Sequence, residues 1–461
     1  MADSVMKVKV IEQSQISPPQ HSTPPRTSLP LTFFDILWLA FSPVKRLMFF
    51  EFRHCNQHFI ETVLPNIKHS LSLALQHFYP LAGRLITTPS TDDHEIAYSD
   101  GDSVSLTVAE ADFDFEYLTS RRPRDISEYV SLVPELISKL ELQDMTPLMA
   151  VQVTLFPNSG ITVGITVSHA VADGKITTHF IKHWASICKL QGKNHSDILL
   201  PFFDRSVIKD PNGLCAKFRE QLRDFIESFK TFKVANSLAP TDKVQATFVL
   251  GAPEIEKLKQ YVRNKLHDHD YTFHVSTFVV ACAYVWVCFI KCYIDEKNHE
   301  KAYFVFNADC RERLDPPIPK FYFGNCLMSC VTQANKCDLI GEEGVVVAAE
   351  VLGRGVERMN KEGVLGGVDT MIPYMSNIIR SGAKVMSVAG SPKFKLYETD
   401  FGWGRPKKVD VVSLENSGAI CVSESRDGEN GGGIEVGLVL SWLEMDAFAS
   451  HFADTLNKIG P

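Results

Sequence analysis

Between Gln57 and Phe78 apolar side chains return at three- and four-residue steps. Phe59, Ile60, Val63, Leu64, Ile67, Leu71 and Leu75 fall on one face and predict a helix that Pro80-Leu81-Ala82-Gly83 ends. From Met149 to Phe156 the pattern turns to alternation with β-branched residues. Pro157-Asn158-Ser159-Gly160 reads as a turn and Ile161 to Ser168 as a second strand, so the spacing predicts a hairpin. Helical spacing resumes through Ile176, Phe180, Ile181, Trp184 and Ile187. The stretch 199–242 is mixed, with Pro201, Asp210-Pro211-Asn212-Gly213 and Pro240, and reads as a crossover. After Lys243 the pattern restarts. It predicts a strand at 245–250, a helix at 253–265, an apolar helix after Ser276 and strands at 303–308, 411–414, 420–424 and 434–440. The proline-bearing first 30 residues read as an extended lead-in, and 427–433 as a polar turn.

A chain of 461 residues exceeds the ~250–300 at which one core stops growing. Two domains are therefore expected, 1–198 and 243–461, joined by 199–242. Interleaved strands and helices in both halves make the class α/β. The net charge of −8 and pI near 6.0 argue against a duplex nucleic-acid partner, which needs a basic face. The longest apolar run, Thr277 to Ile290, is shorter than the ~20 residues of a membrane helix, and no apolar segment marks 1–29 as a signal peptide. The 11 cysteines follow no zinc or disulfide spacing and read as reduced thiols of a cytoplasmic protein. No heptad demands an oligomer, so a monomer without a membrane partner is expected.

The hairpin delivers His169-Ala170-Val171-Ala172-Asp173-Gly174 at a strand-to-helix junction. An imidazole titrates near neutrality and can take a proton from a hydroxyl. Asp173 can form a dyad with it, or hold the turn through an arginine. A metal site is not expected. His179 and His183 share a helical face, but Phe180 stands where a zinc protease needs glutamate, and His267-Asp268-His269 lies in a polar loop. No Gly-x-Ser-x-Gly elbow, dinucleotide fingerprint or phosphate loop occurs. Asp400-Phe401-Gly402-Trp403-Gly404 sets two glycines around an indole, and reads as a structural turn that shapes a cleft.

These two motifs, with Pro30-Leu31-Thr32-Phe33-Phe34-Asp35, Tyr79–Arg84, Asp309-Cys310-Arg311-Glu312-Arg313 and Tyr322-Phe323-Gly324-Asn325-Cys326, carry a resemblance across essentially the whole chain. It resembles the plant BAHD acyltransferases, in the branch that acylates anthocyanin, flavonoid and phenolic glycosides. The resemblance implies two chloramphenicol-acetyltransferase-like domains, with mixed sheets flanked by helices and an active-site channel at their interface. It implies His169 as general base, Asp173 turned away to pair with Arg311, and a structural Asp400–Gly404 motif. No bound cofactor is expected. Acyl-CoA, malonyl-CoA first, is the co-substrate, with Lys259, Ser276, Thr277 and Asn325 expected to meet it. A hydroxycinnamoyl donor and a non-catalytic relative of the fold are the alternatives. Lys175 is the candidate cation for a malonyl carboxylate. Val388-Ala389-Gly390-Ser391-Pro392 departs from the Thr-Ser-Trp run of many members, which leaves Ser391 as a candidate for the oxyanion or the acceptor.

Overall fold

A computed structural model of the chain describes residues 7–88, 93–136, 145–193, 199–237, 242–266, 273–293, 300–414, 418–426 and 433–459. The His267–His269 loop and positions 427–432 of the polar turn lie outside the described residues.

Three sheets organise these residues. The first runs in the order Lys7–Ile16, Val104–Asp112, Met149–Phe156, Gly160–Val167, Val44–Glu51, Lys408–Val411. The hairpin of the sequence reading lies at its centre, antiparallel from Gly160↔Phe156 to Val167↔Met149, and every residue of both strands is buried. The second sheet orders Leu327–Asn335, Lys301–Asp309, Val385–Ala389, Ala419–Glu424, Ile434–Ser441, Lys243–Leu250, Arg124–Asp125. Both are mixed. The third is small and antiparallel: Arg26–Pro30, Asp93–Ser99, Arg84–Thr88, Met145–Pro147.

The first two sheets exchange strands. Lys408–Val411 of the second half pairs with Val44–Glu51 of the first, and Arg124–Asp125 of the first half pairs with Lys243–Leu250 of the second. The expected crossover carries its own helix, Leu214–Ser237. The Thr277–Lys291 helix is apolar all round and is buried at every position from Val279 to Ile290, the fate of such a helix inside a large core.

Some expectations need correction. The extended lead-in carries two edge strands, Lys7–Ile16 and Arg26–Pro30. The helix over 57–78 is interrupted by a π turn at Phe59–Val63 before Leu64–His77, and Ile60 is 49 % exposed rather than on the core face. Pro65, which has no N–H to give to the preceding turn, accounts for the local unwinding. The strand expected at 411–414 is Lys408–Val411, and Val412–Leu414 is a 3-10 turn. Charge concealed it: Lys408 and Asp410 share one face of the strand and form a buried pair at 3.1 Å.

Candidate active site

The central strands carry His169 to the end of the hairpin. The Ser168 N–H closes onto the Leu148 carbonyl at 2.8 Å, the last rung, and the Val171 N–H turns back to the Ser168 carbonyl at 3.1 Å. The imidazole lies flat on Trp38, with ring centroids 3.8 Å apart and planes 4° from parallel. Its Nδ1 is enclosed without a hydrogen-bond partner, which leaves Nε2 as the nitrogen available for proton transfer. Burial pushes the imidazole below its ordinary value, against the pull of its own carbonyl, Asp173 and the Asn325 side chain. A base of this kind is neutral across the physiological range. The ascending limb of the kcat/KM profile is therefore expected below the free histidine value of ~6.5. A profile with no ascending limb down to the pH at which the enzyme unfolds, with chemistry shown to be rate-limiting, would remove His169 from that role.

Asp173 begins the next helix and faces away from the imidazole. One carboxylate oxygen accepts from the Lys175 and Ile176 N–H groups, each at 3.1 Å, and so caps Gly174–Lys189. The other meets Arg311 at 2.8 Å and the Cys326 N–H at 3.2 Å. Asp173 and Arg311 are both fully buried, and Arg311 also reaches Asp309 at 3.0 Å. Arg311 further donates to the Tyr322 and Gly324 carbonyls, which ties the 322–326 run to the same point.

Asn325 is tied into the loop that carries His169. It is fully buried, and its amide donates to the His169 carbonyl at 2.8 Å and to Asp35 at 3.1 Å. Its side-chain N–H groups are thus taken by the His169 loop and by Asp35, while its Oδ1 is buried without a partner. Sequence reasoning missed the partners behind it. Asp35 accepts from Asn325 on one oxygen and from Thr32 and Arg205 on the other, with Arg205 also bonded to the Tyr322 hydroxyl at 2.9 Å. Thr32 and Asp35 form a capping box at the start of Phe33–Ile36, the signal that would have singled out this carboxylate.

The Asp400–Gly404 run is a clamp at the far end of the Gly174–Lys189 helix. Asp400 accepts from the N–H groups of Gly402 and Gly404 at 2.7 and 2.9 Å and pairs with Lys189 at 2.8 Å. Gly402 and Gly404 take φ of +102° and +92°, a conformation suited to glycine. Phe401 and Trp403 stack on each other, and both set their edges against Phe50. Replacing Asp400 with alanine is expected to lower the melting temperature by several degrees and to reduce kcat/KM less than any change at His169. Scanning calorimetry beside steady-state kinetics checks both.

Ser391 accepts from the Lys393 N–H at 3.2 Å, and its turn brings Phe394 against Gly174 and Arg46. Ser276 caps the Thr277–Lys291 helix through the Val279 N–H. Lys259 stands on Ala252–Leu266, 3.8 Å from Glu256. Lys175 is neutralised by Asp309 at 2.7 Å. His183 bonds to His77 at 2.8 Å, and His179 stacks on Phe321, where burial pushes it down to about 4. Among the described residues no cluster of three metal-ligating side chains occurs.

A cavity of about 500 Å3 lies beside the Leu327–Asn335 strand, bordered by Thr332, Arg354, Arg358, Thr370 and Tyr374. Met328, Ser329 and Met371 continue from it into a narrow cleft beneath Phe33, Leu37 and Trp38. The cavity therefore leads towards the indole that supports His169. Its size is that of a small-molecule site.

A family model described as the Transferase family matches residues 6–455. The malonyl-coenzyme A:anthocyanin 3-O-glucoside-6''-O-malonyltransferase of Dahlia pinnata is 39 % identical, covering 99 % of each chain. A coumaroyl-CoA:anthocyanidin 3-O-glucoside-6''-O-coumaroyltransferase of Arabidopsis thaliana is 38 % identical over 98 % of each. Phenolic glucoside malonyltransferase 2 of the same plant is 38 % identical over 98 % of this chain and 100 % of its own. Among solved structures, vinorine synthase shares the fold with a TM-score of 0.71 at 18 % identity, covering 97 % of this chain and 98 % of its own. With the family model spanning nearly the whole chain and full-length relatives at this identity, the chain belongs to the BAHD acyltransferases.

Proposed function

We propose that this acyl-CoA-dependent O-acyltransferase moves a malonyl group from malonyl-CoA to a sugar hydroxyl of a phenolic, flavonoid or anthocyanin glycoside. The observation that carries the reading is the His169 imidazole itself, stacked on Trp38 at the end of a loop held by Asp173 and Asn325. Nε2 takes the hydroxyl proton as the oxygen attacks the thioester carbonyl. The oxygen–carbon bond forms, the tetrahedral oxyanion collapses, and the carbon–sulfur bond breaks. The imidazolium then returns its proton to the departing thiolate. Ser391 is our candidate for the oxyanion, since its oxygen accepts from Lys393 while its own proton stays free to donate. Lys259, Ser276 and Thr277 are our candidates for the coenzyme, and the 500 Å3 cavity is our candidate for the glycoside. We assign 1–198 and 243–461 to the two domains, each lending a strand to the other. The 11 free cysteines fit a reducing cytoplasm, and no described helix is long and apolar enough to cross a membrane.

The Dahlia relative supports the malonyl donor. The Arabidopsis coumaroyltransferase, at nearly equal identity, favours a second reading with a hydroxycinnamoyl donor. A screen read by mass spectrometry decides between them: malonyl-, acetyl- and coumaroyl-CoA, each with anthocyanin, flavonol and simple phenolic glucosides. Malonyl adducts are expected. Coumaroyl adducts alone would replace the donor and keep the mechanism.

A further inference from the structure

Among the described residues no side chain bonds to the Nδ1 of His169, so nothing fixes the imidazole in the way a carboxylate fixes the histidine of a triad. Its orientation is left to two other contacts. The ring lies on Trp38, and the His169 carbonyl accepts from the Asn325 side chain at 2.8 Å. Both contacts lead to Asp35. Trp38 follows Asp35 by three residues, in the Leu37–Ala40 turn that directly continues Phe33–Ile36. Asn325 gives Asp35 its backbone N–H at 2.8 Å and its side-chain amide at 3.1 Å, both on the same carboxylate oxygen. The amide nitrogen of Asn325 therefore spends one proton on Asp35 and the other on the His169 carbonyl.

The carboxylate is itself held from every side. It is fully buried, and its second oxygen accepts from the Thr32 N–H at 2.9 Å, the Thr32 hydroxyl at 2.8 Å and Arg205 at 3.1 Å. Arg205 comes from the crossover between the halves. There the Phe202 N–H donates to the Phe321 carbonyl at 2.9 Å, and the Phe323 N–H to the Phe202 carbonyl at 2.8 Å. Gly324 lets the guanidinium in: a Cβ there would stand 2.3 Å from its Nη1, at a φ of +141° that favours glycine. The first half, the crossover and the second half thus meet on one buried group. The next residue, Cys326, gives its N–H to Asp173, so the 322–326 run is gripped by two carboxylates. A buried carboxylate with both oxygens bonded holds one geometry, which is what a base carried on a loop needs.

We propose that Asp35 is a positioning residue of the acyl transfer. It sets the plane of the imidazole through Trp38 and the backbone beneath it through Asn325. The proposal rests on His169 as the base. Its consequence is that the geometry of the chemical step suffers when the carboxylate changes, while substrate binding does not: kcat falls and KM holds.

The test compares His169→Ala, Asp35→Asn and Asn325→Ala with wild type, using one acyl-CoA and one glucoside that the enzyme accepts. Steady-state kinetics and melting temperatures are measured, together with ring resonances from enzyme carrying isotope-labelled histidine. Asp35→Asn is expected to lower kcat by about 10- to 100-fold, the scale of a misplacement of about an ångström, with both KM values within about threefold of wild type. Its His169 resonance, identified by its loss in His169→Ala, should leave the upfield position that a stacked indole imposes. Asn325→Ala keeps Asp35 paired with Arg205 and should lower kcat about tenfold, again without a change in KM. Should Asp35→Asn fail to fold, Asn325→Ala carries the test, and a wild-type kcat there overturns the proposal. A folded Asp35→Asn enzyme with wild-type kcat and an unmoved resonance overturns it as well, and an inactive His169→Ala beside it leaves the general base in place. A His169→Ala enzyme with wild-type kcat overturns the base and the positioning role together.

Discussion

Replacing His169 with alanine is expected to cut kcat by about 10^3- to 10^4-fold while the protein stays folded, the range that one positioned general base supplies. The geometry separates the two effects. The ring lies on Trp38 and its Nδ1 has no partner, so alanine leaves no side-chain bond to it unsatisfied. Losing the stack costs about 1 kcal/mol, a few degrees of melting temperature. The loop itself is held by other groups: the Asn325 amide on the His169 carbonyl, and Asp173 on Arg311. Residual transfer in His169→Ala should also lose the ascending limb of the pH profile, because the titrating group is gone. Stopped assays by mass spectrometry with thermal melting check both. A folded His169→Ala enzyme with near wild-type kcat would sink the general-base role.

How far the sequence could be read depended on where each partner lies. The Met149–Phe156 and Gly160–Val167 strands were legible because their turn is local and their residues are apolar with β-branched members. The Lys7–Ile16 strand was not, since Lys7, Lys9, Glu12 and Gln13 look like a solvated tail until Val104–Asp112 pairs with it. The Leu327–Asn335 strand was missed because no tight turn joins it to its partner Lys301–Asp309, and Val385–Ala389 because it pairs in parallel with strands that reach it only through long connections. At the site, His169 and Asp173 stood out by themselves, but nothing in their spacing could choose between a dyad and a turn held by an arginine. Arg311 is 138 positions from Asp173 and entered only through the family resemblance. Asp35 lies in a run already quoted for that resemblance, yet its task needs Arg205 and Asn325, which arrive from two other parts of the chain.

Asp173→Asn is expected to lower stability and rate together, because the carboxylate acts on position rather than on the proton. Asparagine still caps a helix well, so the bonds from Lys175 and Ile176 survive. What is lost is the charge facing Arg311, which keeps Asp309 at 3.0 Å as its remaining carboxylate. A cost of about 1–3 kcal/mol follows for the weakened buried pair. Arg311→Met is the harsher change. It strands Asp173 in a fully buried place without its ion-pair partner, at about 3–5 kcal/mol, and frees the Tyr322 and Gly324 carbonyls as well. The double variant Asp173→Asn with Arg311→Met should be less unstable than the sum of the two, since neither charge is then left alone. Asp173 also raises the imidazole, so the ascending limb of Asp173→Asn should move to lower pH. Urea titration and kcat/KM across pH for the three variants measure all of this. Should Asp173→Asn melt like the wild type and yet lose its activity, the carboxylate would belong to the proton transfer itself, and its turn away from the imidazole would have to be reversed in the working complex.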